Sequence, residues 1–188
     1  GAAKLWDRRF PSPLVQEMIP GFGFGVFILM HEGEAVASFA HQRIREANPL
    51  GASSSFRVSI DLPDDAYASA VRLLKAMKWN GVAMVEFKRD ARDGTPKLME
   101  INGRFWYSLA LCLQAGVDFP ALLLQLKLGE GVDVKEGYRT GVGTHWVGGE
   151  LMHVYKVLKG KPADYNGDYP GRAETLYKLG RDFLKHPW

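Results

Sequence analysis

Gly81-Val-Ala-Met-Val-Glu-Phe-Lys88 and Lys97-Leu-Met-Glu-Ile-Asn102 flank Arg92-Asp-Gly-Thr95, and this stretch decides the fold. Two apolar-rich runs joined across an Asp-Gly pair are a strong β-hairpin signal. A turn centred on Asp93 sets Glu86 directly opposite Glu100. Side chains so placed lie about 5 Å apart, and two like charges there destabilise the pair unless something compensates. A divalent cation would do so. Strand alternation also puts Glu100, Asn102 and Arg104 on one face, while Ile101 and Gly103 point the other way. Glu86, Glu100 and the amide oxygen of Asn102 are hard oxygen donors. Magnesium is commonly held by one or two carboxylates, with phosphates and water completing its shell. Mg2+ with a nucleotide is therefore the expected occupant, with Mn2+ as an alternative. Arg104 cannot ligate a cation, but its guanidinium can bond phosphate or acyl-phosphate oxygens bidentately and offset developing negative charge. The competing reading is a solvated sheet face with the carboxylates paired to Lys88 or Arg104. The apolar neighbours of both glutamates weigh against it.

Upstream, Leu14–Ile19 reads as a short strand ending at Pro20-Gly21. Phe24–Met30 and Ala35–Gln42 form a first hairpin around His31-Glu-Gly-Glu34. Gly21, Gly23 and Gly25 precede it and read as turn or bulge glycines; no helix opens after them, so the dinucleotide fingerprint fails. His41, Arg43 and Arg45 alternate along a strand end, where they could face phosphates or an anionic substrate or simply lie at a solvated edge. Arg57, on a strand over Phe56–Ile60, has a similar but weaker claim. A helix is expected from Asp61-Leu-Pro-Asp-Asp65 to about Met77, capped by Asp61, with Ala66, Ala70, Leu73, Leu74 and Met77 on its buried face. Downstream, helices are expected at Ser108–Ala115, Pro120–Leu128, Glu150–Leu158 and Ala173–Leu184, with a strand near Thr140–Val147.

Composition limits the alternatives. The 188 residues are 46% apolar, enough for a buried core. Net charge is only +3 and no basic run stands out, which argues against nucleic acid as a partner. Neither apolar window, around Ala110 or Leu122, reaches the roughly 20 residues of a membrane span, so no membrane is expected as a partner. The single cysteine, Cys112, lies in an apolar run and cannot form an internal disulfide, which fits a reducing, cytoplasmic setting. The five histidines show no metal-ligand spacing. Trp106, Tyr107, Trp146 and Tyr155 read as core or groove-lining residues.

The Glu86 and Glu100-Ile-Asn102 pattern, with Arg104 two residues on, resembles the metal signature of the ATP-grasp superfamily, whose members include biotin carboxylase and D-alanine–D-alanine ligase. The resemblance extends over roughly Leu14–Leu128. It implies an α+β fold, an antiparallel β-sheet flanked by α-helices, corresponding to the C-terminal ATP-grasp subdomain. It also implies ATP and Mg2+ as cofactors, with metal on Glu86, Glu100 and Asn102 and catalytic electrostatics from Arg104. Val15-Gln-Glu-Met-Ile19 resembles the strand that holds adenine, which assigns Gln16, Glu17 and Ile19 to nucleotide binding; Arg43, from its place on the alternating strand end, is expected toward the phosphates. The activity implied is ATP-dependent ligation of a small-molecule carboxylate to an amine, or to a thiol, through an acyl phosphate.

The family's phosphate-gripping lysines belong to a lid that precedes the adenine strand. Here residues 1–13 read as a lid or linker remnant, 14–130 as the nucleotide and metal core, and 131–188 as a C-terminal strand and helical extension. The lid is expected to be largely missing, the isolated chain inactive, and an apolar surface exposed where a lid would dock, which leaves a homodimer open. Two other readings stay open: a non-catalytic nucleotide-binding or interaction module, and an ATP-dependent phosphotransferase using the same metal site.

Overall fold

The computed structural model describes residues 16–51, 53–132, 137–165 and 167–186. The anticipated first hairpin forms from β1 (Gly21–His31) and β2 (Glu34–Glu46), and β3 (Ser54–Ser59) pairs with β2. The deciding hairpin is β4 (Gly81–Asp90) with β5 (Pro96–Asn102), and β6 (Gly143–His145) adds beside β3. Together they make one six-stranded antiparallel sheet in the order β5-β4-β1-β2-β3-β6. Among the described residues five helices accompany it: α1 (Asp64–Ala76), α2 (Leu109–Ala115), α3 (Phe119–Leu128), α4 (Val147–Lys159) and α5 (Arg172–Lys185). The expected α+β class is the observed one.

Alternation in the central strand β1 feeds two cores. Phe24, Val26, Ile28 and Met30 pack with Ala83, Val85 and Phe87 of β4 against Ala66, Ala70 and Leu74 of α1. Phe27 and Leu29 point the other way and join Phe39, Met84, Trp106, Leu111, Cys112 and Phe119, under α2 and α3. This period-2 division is what a sheet buried on both faces requires. α3 is capped by Asp118, whose carboxylate accepts the Ala121 N–H at 2.9 Å, and both α2 and α3 end on left-handed glycines, Gly116 and Gly129. Among the described residues no single helix is long and apolar enough to cross a membrane. Cys112 is buried, and burial pushes its thiol up to about 12, as an inert core cysteine should behave.

Several local expectations are corrected. Residues 16–20 are not a strand, and Leu14 and Val15 lie outside the described residues. Gly21, Gly23 and Gly25 do not precede the first strand but lie within it. Asp61 does not cap α1; the helix begins after Pro63, with no side-chain cap, and carries Asp64 and Asp65 in its first turn, near its positive end. Met77 is half exposed, lying just past the helix end.

Candidate functional site

Glu86 and Glu100 are paired across β4 and β5, as the turn arithmetic requires. Beyond them the register shifts by one: Phe87 faces Leu98, so Met99 is the extra residue of a β-bulge on β5. The bulge lies past the carboxylate pair and leaves Glu100 and Asn102 on a common face. The row continues through Gly25 of β1 to His41 of β2 and Ser59 of β3. Gly25, which a side-chain-bearing residue would replace poorly, thus separates the two carboxylates from His41 and Ser59.

On this face the core under α2 and α3 gives way to a cleft of about 530 Å³. Its lining includes Glu86, Glu100, Asn102 and Arg104 from one side, and His41, Arg43 and Arg57 from the other. Gln16 and Lys88 also line it. The glycines keep it open: a Cβ on Gly23 would stand 3.1 Å from the Arg43 side chain, and one on Gly25 only 3.0 Å from the Phe27 ring and 3.4 Å from His41 Nε2. Gly25→Val is expected to lose about 1–3 kcal/mol through this overpacking, measured as a lower urea midpoint.

Charge is unevenly satisfied. Arg43 donates to Glu86, with Glu46 more distant at 3.9 Å. Burial raises the Glu86 carboxyl above its ordinary value, against the pull of Arg43 and with the added push of Glu100. Glu100 is exposed and accepts from Asn102 Nδ2 at 2.9 Å, which leaves Asn102 Oδ1 as the oxygen available to a cation. Arg104 is exposed, donating to the Phe105 carbonyl at 3.1 Å. Among the described residues no three His, Cys, Asp or Glu side chains converge on one point. A cation here would be held by two carboxylates and an amide, with the remaining positions left to ligand oxygens and water. That donor set suits magnesium and not zinc.

Not every residue singled out from the sequence comes to the cleft. Glu17 is held 2.5 Å from Arg92 on the exposed side, and Ile19 offers its carbonyl to Lys88 Nζ at 2.6 Å; neither lines the cleft, while Gln16 does. Arg45 is turned away. A β-bulge between Arg43 and Arg45 sets Arg43 opposite Arg57 but Arg45 opposite Phe56, which flips Arg45 to the other face. There it bonds Glu150 and Asp182. Lys88 was readable as a cleft residue, because alternation places it two positions from Glu86. Trp106 and Tyr107, read as core or groove-lining residues, do line the cleft, whereas the exposed cleft residue Met99 carried no such signal.

A family profile described as ATP-grasp in the biosynthetic pathway with Ter operon matches residues 9–148. The chain belongs to this ATP-grasp family. No curated protein sequence matches the chain. Among solved structures, the fold of this ATP-grasp chain is similar to the L-amino acid ligase of Bacillus licheniformis, with TM-score 0.53 and 20% identity over 68% of this chain and 34% of that one. It is also similar to the biotin carboxylase–β,γ-ATP complex of Campylobacter jejuni, with TM-score 0.53 and 13% identity over 68% and 30%. A third is the biotin carboxylase domain dimer of Hydrogenobacter thermophilus 2-oxoglutarate carboxylase with MgADP, ADP and bicarbonate, with TM-score 0.50 and 18% identity over 65% and 28%. The ATP-grasp chain therefore spans about a third or less of each of these proteins.

Proposed function

We propose that the cleft binds a magnesium–nucleotide complex and that the protein acts in ATP-dependent ligation of a carboxylate to an amine or thiol. The observation that carries this reading is the convergence of Glu86, Glu100, Asn102 and Arg104 from one side of the cleft with Arg43 from the other. Glu86, Glu100 and the Asn102 amide oxygen would hold magnesium, which when bound supplies charge neutralisation for phosphates and for the transferred phosphoryl group. Arg104, exposed at the cleft with most of its N–H donors uncommitted among the described residues, is suited to grip phosphoryl oxygens bidentately and to stabilise charge as an acyl phosphate forms. Its role is electrostatic, since a guanidinium does not give up a proton at neutral pH. Gln16 and the backbone near Ile19 are the nearest candidates for the base, while Glu17 would first have to leave Arg92. The family membership, and the magnesium nucleotide and amino-acid ligase activity named for two structural neighbours, support the same assignment.

Calorimetric titration of ATP into the chain, with magnesium and with EDTA, tests it. Saturable heat with magnesium and none in EDTA is the expected result. Equal binding in both, or none in either, would remove the metal–nucleotide assignment.

A further inference from the structure

Arg43 and Arg57 stand directly opposite each other on β2 and β3, facing the cleft. Like charges in that relation destabilise a sheet unless something lies between or beside them. Arg57 is buried, 7% exposed, and among the described residues its guanidinium donates only to the Ser54 carbonyl. Among the described residues no carboxylate is bonded to it, and it lines the cleft. Burial and the neighbouring Arg43 pull its pKa down to about 10. Among the described residues His41, 3% exposed on the same face, keeps an Nδ1 with no hydrogen-bond partner. Desolvation and the two arginines hold that ring well below its ordinary value, so it is neutral and can offer an N–H without adding charge.

Arg43 is compensated, but by Glu86, the half-buried carboxylate of the candidate metal pair. A carboxylate engaged by a cation has less to offer a guanidinium. Freed from Glu86, Arg43 and Arg57 would present two adjacent forks of donors, a geometry suited to a planar or tetrahedral oxyanion.

We propose that Arg57 and Arg43 form an oxyanion cradle beside the metal site, and that Glu86 occupies the place of the anion until a divalent cation engages it. The proposal rests on the assignment of Glu86 to the metal. Metal and anion then bind with positive coupling, because the cation removes the anion's internal competitor. The oxyanion is either the terminal phosphoryl group of the nucleotide or the carboxylate of the acceptor substrate.

Inorganic sulfate, a tetrahedral dianion that associates only weakly with magnesium, is the probe. In EDTA, Glu86→Gln is expected to bind sulfate roughly 10-fold more tightly than wild type, whereas Glu100→Gln, which removes an equal charge not bonded to Arg43, changes affinity no more than about 2-fold. Adding Arg57→Gln to Glu86→Gln abolishes the gain, and Arg57→Lys restores only part of it, since one ammonium lacks the fork. Magnesium raises sulfate affinity in wild type but not in Glu86→Gln. Urea midpoints measured alongside separate misfolding from lost binding. Equal effects of the two glutamine variants, or sulfate binding indifferent to Arg57, would overturn the cradle. Loss of magnesium dependence with the EDTA results intact would instead overturn the metal assignment. The source of the anion follows from Arg57→Gln: selective weakening of a magnesium complex of a non-hydrolysable ATP analogue, with ADP unaffected, identifies the terminal phosphate. Weakened acetate competition against sulfate in the presence of MgADP identifies the substrate carboxylate.

Discussion

Arg45→Met is expected to lose about 3–5 kcal/mol of stability, read as a fall in the urea unfolding free energy at neutral pH. Arg45 sits with its side chain 6% exposed and bonds Glu150 of α4 at 2.6 Å and Asp182 of α5 at 2.5 Å, so one guanidinium ties both C-terminal helices to β2. Its charge also lies 5.7 Å from the Phe56 ring centroid. Around it the His145 ring is stacked between Phe56 at 4.0 Å and Phe183 at 4.2 Å, leaving little room for water. Removing the arginine leaves Glu150 buried without a bonded guanidinium and Asp182 with only Arg181, at 2.7 Å. The penalty is their desolvation, which is larger than the net worth of the intact triad. It follows that Arg45→Met combined with Glu150→Leu and Asp182→Leu should recover most of the loss. A change under 0.5 kcal/mol in the single variant would show that water or another group already compensates these charges.

The second large effect concerns ligand binding. A Glu86→Gln, Glu100→Gln double variant should bind MgATP on the order of 100-fold more weakly, or not measurably, because even groups that merely support metal ligands are worth 10–100-fold in affinity. Glutamine keeps the size and one oxygen acceptor of each side chain, so the sheet should hold its register while both negative charges vanish. The fold then remains and the metal is lost. The Glu86 carboxyl, raised by burial, also meets proton competition at a higher pH than an exposed carboxylate would. Metal-dependent binding in the wild type should therefore weaken as pH falls through the mildly acidic range. The double variant, lacking the Glu86 carboxylate, should not show this dependence.

The sheet was legible in the sequence because its strands carry long apolar runs closed by glycine-containing turns, and the carboxylate pair because hairpin arithmetic needs only a turn position. What escaped were departures from regular alternation. The bulge at Met99 lay harmlessly past Glu100, whereas the one between Arg43 and Arg45 reversed a face, sending Arg45 into a structural triad with partners 105 and 137 residues away. Such long-range partners leave no local trace. Gly23 and Gly25 were misread for a related reason. Glycines usually punctuate strands, but here they stay inside one so that the side chains of Arg43 and His41 can lie across it. The irregular path of residues 16–20 reflects a chain tied to the sheet by Lys88 and Arg92 side chains, not by a strand ladder.

The central claim is that a divalent cation accompanies a nucleotide at Glu86, Glu100 and Asn102. Manganese substituted for magnesium, with ADP present, broadens NMR signals of nuclei close to it, and amide spectra would locate it directly. The account predicts broadening concentrated at residues 84–88 and 98–104, with Gly25 and His41 next, and its loss in the double glutamine variant. Broadening centred on other carboxylates, such as Asp164 and Asp168, or unchanged in the double variant, would contradict it.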